Sequence, residues 1–216
     1  MHDHYGNPEH LRDYLERMEG ADRAAWQKPD EVIAALALRR RHTVAEIGAG
    51  PGYFSLRIAR AAGHVFAAEA DPRMLPVLRD RIAASGARNL TPVFALREDP
   101  LLPPRSCDLI LMVNTFHHMP SPAEYLRRVS LALKSGGRLA NIDFREGELP
   151  VGPDPAHKIS REHFLRVAEE AGFRLAQEET FLPYQYFLVF LKATGRRAAR
   201  ASGARRAARR ARPTGR

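Results

Sequence analysis

The stretch VAEIGAGPGYFS, residues 44–55, ends an apolar run on a carboxylate, Glu46, and then sets Gly48, Gly50 and Gly52 at alternate positions. A strand, a glycine-rich turn and a helix in succession form a common cradle for phosphate. The dinucleotide fingerprint G-x-G-x-x-G needs its third glycine at position 53, where this chain has Tyr53. No Lys-Ser/Thr pair follows, so a P-loop is excluded. A carboxylate directly before the turn would repel a phosphate. It suits a nucleoside ligand that carries a positive charge and no pyrophosphate, with Glu46 facing an ammonium group directly or through water. Bare backbone at Gly48 and Gly50 lets such a ligand lie close to the chain. Glu69 follows 21 residues after Gly48, about the spacing at which an acid grips ribose hydroxyls. Asp71 reads differently, as a helix N-cap with Pro72 at the first helical position.

A second group of residues follows a later strand. The segment NTFHHMPSPAEYL places Asn114, His117 and His118 together. Asn114 is expected to touch cofactor or substrate. Histidine takes a proton near neutral pH, so either ring qualifies as a base. Backbone-bonded loop histidines are an equal reading for the pair. His2, His4 and His10 form a loose N-terminal cluster, read as disordered chain rather than a metal site. Trp26 is read as a core anchor in preference to a pocket wall, and Cys107 as inert packing at the start of a buried strand.

The elements that must position these groups show in the hydrophobic pattern. Leu11, Tyr14, Leu15 and Met18 recur at helical spacing, as do Val32, Ile33 and Leu36, with Pro29 in the first turn of the second helix. Strands are predicted near 43–47, 64–69, 90–95, 107–113 and 137–143, with helices near 52–62, 72–84 and 121–134 between them. This alternation predicts an α/β fold with a parallel sheet covered on both faces. A helix near 160–171 follows the loop EGELPVGPDPAHK, and strands near 173–181 and 184–192 close the pattern. The joint at Pro183 is too short for a parallel crossover, so these two strands form an antiparallel pair. Ligands of open parallel sheets bind beyond the carboxyl ends of the strands. Glu46, Glu69, Asn114 and Asp143 are therefore expected along one edge.

The chain has 216 residues, 44% of them apolar, and so is long enough for one globular domain with a real core. A single cysteine excludes an internal disulfide and a multi-cysteine metal site. No stretch resembles a secretion signal, and the apolar run FLVFL at 187–191 is too short to span a bilayer, so a cytoplasmic protein with no membrane span is expected. The formal net charge of +9 is matched by nine arginines in the last stretch, 195–216, which holds no acid, leaving 1–194 formally neutral. That Arg-rich end reads as a disordered tail able to touch polyanions non-specifically. It has no aromatic residue for base stacking. The expected organisation is a helical cap over 1–40 within the same domain, a domain body over 41–194 and the tail over 195–216.

With VAEIGAGPGYFS, VFAAEADPRML, DLILMVNTFHHM and LKSGGRLANIDF in this order, the chain resembles the class I S-adenosylmethionine-dependent methyltransferases over about 44–144, and in particular small bacterial methyltransferase-domain proteins. The resemblance implies a three-layer Rossmann-like sandwich with a seven-stranded, mostly parallel sheet in the order 3-2-1-4-5-7-6, strand seven antiparallel. It implies S-adenosylmethionine as cofactor, with Glu46, Gly48, Gly50 and Gly52 at its methionine end and Glu69 at the ribose. Many relatives carry an Asp after strand three, near the adenine. Leu96 stands there in this chain, leaving backbone groups, Glu98 or Asp99 for that role. Asn141 and Asp143 resemble the strand-end ligands of metal-dependent O-methyltransferases, but no second carboxylate at strand four completes that set, so no metal site is assigned. Asn114-Thr115-Phe116-His117 lacks both prolines of the amino-methylating nucleic-acid signature, and Cys107 lies at the wrong end of its strand for a cytosine C5 enzyme. The expected activity is in-line methyl transfer to a small-molecule acceptor, with His117 and His118 as candidate bases. The alternative is a protein or RNA methyltransferase, or an RNA-binding protein, steered by the basic tail.

Overall fold

The structure, a computed structural model, describes residues 11–18, 20 and 22–193. The histidines His2, His4 and His10 and the Arg-rich segment 195–216 lie outside the described residues. The chain opens with α1 (Leu11–Met18), α2 (Arg23–Gln27) and α3 (Pro29–Ala35). Alternation then begins with β1 (Thr43–Ile47), α4 (Ser55–Ala61), β2 (His64–Glu69), α5 (Met74–Ser85) and β3 (Leu90–Phe94). It continues through β4 (Cys107–Val113), a 3-10 turn at Phe116–His118, α6 (Pro122–Ala132), β5 (Leu133–Phe144), α7 (Arg161–Glu170), β6 (Phe173–Glu179) and β7 (Gln185–Lys192).

The seven strands form one sheet in the order β3-β2-β1-β4-β5-β7-β6. Strands β1 to β5 pair parallel, and β7 runs antiparallel to both β5 and β6. The period-two geometry of a strand divides the core. Leu109, Leu111 and Val113 of β4 pack with Val32, Ile58 and Leu78 of α3, α4 and α5. Ile110 and Met112, one residue out of phase, pack with Leu126, Val129 and Phe164 of α6 and α7. Two helical layers therefore sandwich the sheet, and the carboxyl ends of β1, β2, β4 and β5 carry Glu46, Glu69, Asn114 and Asp143 to one edge. The sheet's outer strands are kept from further pairing by their sequence. Pro92 lies in β3, and β6 exposes the charged and polar side chains of Arg174, Gln177 and Glu178.

Four features differ from the sequence pattern. Helix α2 is an additional short helix that the pattern did not show, set off from α3 by Lys28 in a left-handed conformation (φ 43°), while α3 begins at Pro29 as expected. Helix α4 begins at Ser55 rather than near residue 52, since the glycine turn runs on through Phe54. Strand β5 starts at Leu133, which pairs with Cys107. The next β4 contact, Leu109 with Arg138, skips a bulge at residues 134–137 in which Gly136 has φ 72°. Helix α5 begins at Met74 rather than directly after Asp71. The fully buried Asp71 closes the preceding turn instead, accepting from the Arg73 N–H at 2.9 Å and pairing with the Arg73 guanidinium at 2.7 Å.

Candidate active site

Beyond the carboxyl edge of the sheet lies a cavity of about 770 Å³, within the size range of small-ligand sites. Its floor is the glycine turn. Gly48, Gly50 and Gly52 have φ of 73°, 53° and 87°, a region side chains rarely adopt. The N–H groups of Gly48 and Ala49 donate to the Ala68 carbonyl, and the Gly50 N–H donates to the Glu69 carboxylate at 2.7 Å. The turn that follows β1 is thus strapped to the end of β2. Space adds a second constraint at Gly48, where a Cβ would collide with the Thr115 side chain of the loop after β4. Gly52 does not line the cavity. A Cβ there would lie 2.9 Å from Leu78 of α5, so this glycine serves the packing of α5 against the turn.

Glu69 is buried and accepts three backbone N–H groups, from Gly50, Ala70 and Asp71. Burial pushes its carboxyl upward, and those N–H groups pull it back. Glu46, 3% exposed, accepts from the Ser55 hydroxyl at the start of α4. Burial raises its carboxyl to about 8, with the Ser55 bond and the charge of Arg23 opposing the shift. Arg23 is itself buried, donates to Gln27 at 2.5 Å and lies 3.8 Å over the Tyr53 ring. Arg23, Tyr53, Glu46 and Glu69 all border the cavity.

The wall after β3 consists of Ala95, Leu96 and Arg97. Neither Glu98 nor Asp99 borders the cavity. Asp99 is engaged elsewhere, with Arg128 at 2.5 Å and the Leu101 N–H at 2.9 Å. The backbone of Leu96 exchanges hydrogen bonds with that of Asp99. Among the acids considered for an adenine, Asp99 is therefore held away, and apolar contact with the 43% exposed Leu96 is what this wall offers.

The opposite wall is built by the ends of β4 and β5 and the loops that follow them. Asn114 sits in a left-handed conformation (φ 53°), its N–H bonded to the Ile142 carbonyl and its side-chain oxygen accepting from Gln185 at 2.7 Å. The 3-10 turn then buries Phe116 against Phe164 and leaves both histidines on the cavity, their rings 3.9 Å apart. His117 Nδ1 lies 3.6 Å from Asp143 Oδ2. The Asp143 Oδ1 accepts from the Phe144 N–H, while Oδ2 and the His117 Nδ1 have no hydrogen-bond partner. Arg97 donates to the His118 carbonyl at 3.1 Å. Trp26 is a cavity wall and not a core anchor, its ring 5.7 Å from that of Phe144. Cys107 is fully buried in the core, where burial pushes its thiol up. Among the described residues no group of three or more His, Cys, Asp or Glu is placed to hold a metal ion.

The structure thus brings Glu46, Gly48, Gly50, Glu69, Asn114, His117 and His118 to one cavity. Sequence reasoning missed Arg23 and Arg97, which border the cavity, and the buried Gln185, which holds the Asn114 side chain from behind. Arg23 lies in a five-residue helix, too short for its pattern to show.

The sheet order, the antiparallel seventh strand and the glycine turn held between two acids define the class I methyltransferase type of α/β protein. Residues 45–139, a little under half of the chain, match the family model for a methyltransferase domain. It is 30% identical over 148 residues to a ribosomal RNA small subunit methyltransferase A of Rubrobacter xylanophilus, a match covering 59% of this chain and 55% of that protein. A demethylmenaquinone methyltransferase of Tropheryma whipplei is 31% identical over 110 residues, covering 51% of this chain and 45% of the relative. The chain thus spans about half the length of these curated relatives. Among solved structures, an S-adenosylmethionine-dependent methyltransferase from Aquifex aeolicus superposes with a TM-score of 0.78 at 21% identity, over 82% of this chain and 96% of its own. At that identity the likeness speaks for the fold alone.

Proposed function

We propose that this protein binds S-adenosylmethionine and transfers its methyl group in line to a small-molecule acceptor. The observation that carries the reading is one cavity lined by two chemically distinct groups of residues. In the first, Glu46, Gly48, Gly50 and Glu69 offer a buried acid, close-approach backbone and a second anchored acid. In the second, His117, His118, Trp26 and Phe144 offer a proton acceptor and apolar walls. The donor set fits a cationic nucleoside without phosphate: Glu46 for the ammonium, Arg23 for a carboxylate, Glu69 for ribose hydroxyls and Leu96 for the base. The bound cofactor supplies an electrophilic methyl carbon on a cationic sulfur. The chain's own contribution is alignment, exclusion of water and, for a protonated acceptor, removal of a proton at His117 or His118. Asn114 is assigned to hold the loop that carries them at the cofactor's border. Residues 1–40 are assigned as a cap of the same domain, with Arg23 and Trp26 as its contribution to the site. A cytoplasmic setting belongs to the same proposal, since the buried, free Cys107 gains nothing from an oxidising compartment.

Calorimetry with S-adenosylmethionine and S-adenosylhomocysteine tests the reading. One site per chain is expected, with no comparable binding of NAD or ATP. Tighter NAD binding would sink it. A second reading, an RNA or protein modifier guided by the Arg-rich tail, draws on the nine tail arginines and on the ribosomal RNA methyltransferase relative. It predicts that turnover needs a macromolecular acceptor and residues 196–216 together.

A further inference from the structure

We propose that Asp143 is a positioning residue that fixes the tautomer of His117 and makes it the base for an acceptor hydroxyl, a phenol or enol on a flat apolar body. The inference rests on the methyltransferase reading for its cofactor, and on the following geometry for the rest. Asp143 Oδ2 and His117 Nδ1 are 3.6 Å apart. Both atoms are buried and neither has a hydrogen-bond partner. Buried polar atoms are rarely left so. The Asp143 side chain, 1% exposed, is anchored through Oδ1 to the Phe144 N–H. The 12% exposed His117 ring, on a short turn, is the member able to close the remaining gap. A carboxylate at Nδ1 holds the neutral ring's proton there and leaves Nε2 as the acceptor, and it stabilises the imidazolium that forms.

The walls give the acceptor its character. Trp26 and Phe144 lie 5.7 Å apart with their planes tilted by 38°, and Met119 and Ile159 add aliphatic surface to the same cavity. The two rings are in contact with each other and form one aromatic wall, against which a planar apolar body can lie. An ammonium acceptor would bring a second positive charge against the imidazolium, with Arg97 already bonded to the neighbouring His118 carbonyl. In the step itself, the acceptor oxygen forms its bond to the methyl carbon as the carbon–sulfur bond breaks and that electron pair stays on sulfur. The hydroxyl proton passes to His117 Nε2, and from there to water after product departs. Groups able to perturb the ring are His118, its ring 3.9 Å away and tilted by 53°, His157 on the cavity, and Tyr186, whose hydroxyl is pushed up by burial and by Asp143.

The test is nitrogen NMR of the full-length protein labelled in histidine, with the His117 signal assigned through His117→Gln. Wild-type protein is expected to carry the neutral-ring proton on Nδ1, and Asp143→Asn to move it to Nε2. With S-adenosylmethionine and a series of phenols and naphthols of graded acidity, Asp143→Asn is expected to lower kcat about 10²–10⁴-fold. KM should stay within about threefold, and the loss should shrink as the phenol becomes more acidic, because acceptors that ionise unaided need no base. A wild-type proton on Nε2 overturns the proposal, and this measurement stands even if the variant does not fold. So does a kcat loss independent of acceptor acidity. Failure of any phenol or naphthol to be methylated removes the acceptor class. Absence of S-adenosylhomocysteine binding alongside the expected tautomer would instead strike at the cofactor reading and leave the Asp143–His117 coupling in place.

Discussion

Glu46 is a carboxyl held where its charge is disfavoured, and this has two measurable consequences of opposite sign. Its ordinary value is 4.5 and burial lifts it to about 8. Between those values the folded chain keeps a proton that the unfolded chain has released, so its contribution to stability is full below 4.5 and is lost as pH rises toward 8. Glu46→Gln keeps an acceptor for Ser55 and removes the titration. Thermal midpoints measured without ligand should show the variant gaining on wild type as pH rises from 4.5 to 8. The same variant should bind S-adenosylhomocysteine more weakly, since an amide does not neutralise an ammonium. Unchanged affinity would remove Glu46 from the cofactor's ammonium. Glu69→Ala should weaken cofactor binding by about 1.5–3 kcal/mol, as for hydrogen bonds to a charged group. It should also lower stability, because Gly50, Ala70 and Asp71 lose the acceptor of their N–H groups. Calorimetry and chemical denaturation on one preparation separate the two effects. Affinity lost without any loss of stability would mean that the strap from Glu69 to the glycine turn contributes nothing.

At the level of elements, the glycine turn divides its work between ligand and packing. Gly52→Ala puts a Cβ against Leu78 at a φ of 87°, a strain of order 1–3 kcal/mol. It should lower the thermal midpoint while leaving the affinity for S-adenosylhomocysteine within about threefold of wild type, because α5 and not the cavity lies beyond it. Gly48→Ala drives into Thr115, next to Asn114 and the histidine turn, and should reduce stability and affinity together. Equal loss of affinity in both variants would return Gly52 to the binding surface. The alternating glycines were legible in the sequence as one motif, but their separate duties were not, because what each Cβ would meet comes from α5 and from the loop after β4. The strands were legible for a similar physical reason in reverse. Their apolar runs record burial on both faces of a parallel sheet, a property local to each segment. Trp26 was misplaced because a large aromatic at helical spacing looks alike in sequence whether it meets core or cavity. The Asp143–His117 approach joins the end of β5 to a turn after β4, and only the parallel register of those strands brings them together.

The whole molecule is a formally neutral body carrying its entire excess charge on one end. Nothing in the cavity asks for that charge. Of its cations, Arg97 is bonded to the His118 carbonyl and Arg23 is assigned to the cofactor's own carboxylate, and its apolar walls suit a small acceptor better than a phosphate backbone. The nine arginines of 195–216 would instead attract any polyanion through counterion release, without sequence preference and with a steep salt dependence. Deleting 196–216 should therefore leave kcat and KM for a soluble acceptor within about twofold, while retention on a heparin or RNA column at low salt is lost. In the intact chain that retention should weaken steeply between about 50 and 200 mM salt, with turnover of a neutral acceptor nearly constant over the same range. If deletion abolishes turnover of small acceptors as well, the tail takes part in forming the site. If turnover appears only when RNA is the acceptor and disappears with the tail, the small-molecule assignment fails and the arginines become the substrate-docking element of an RNA modifier.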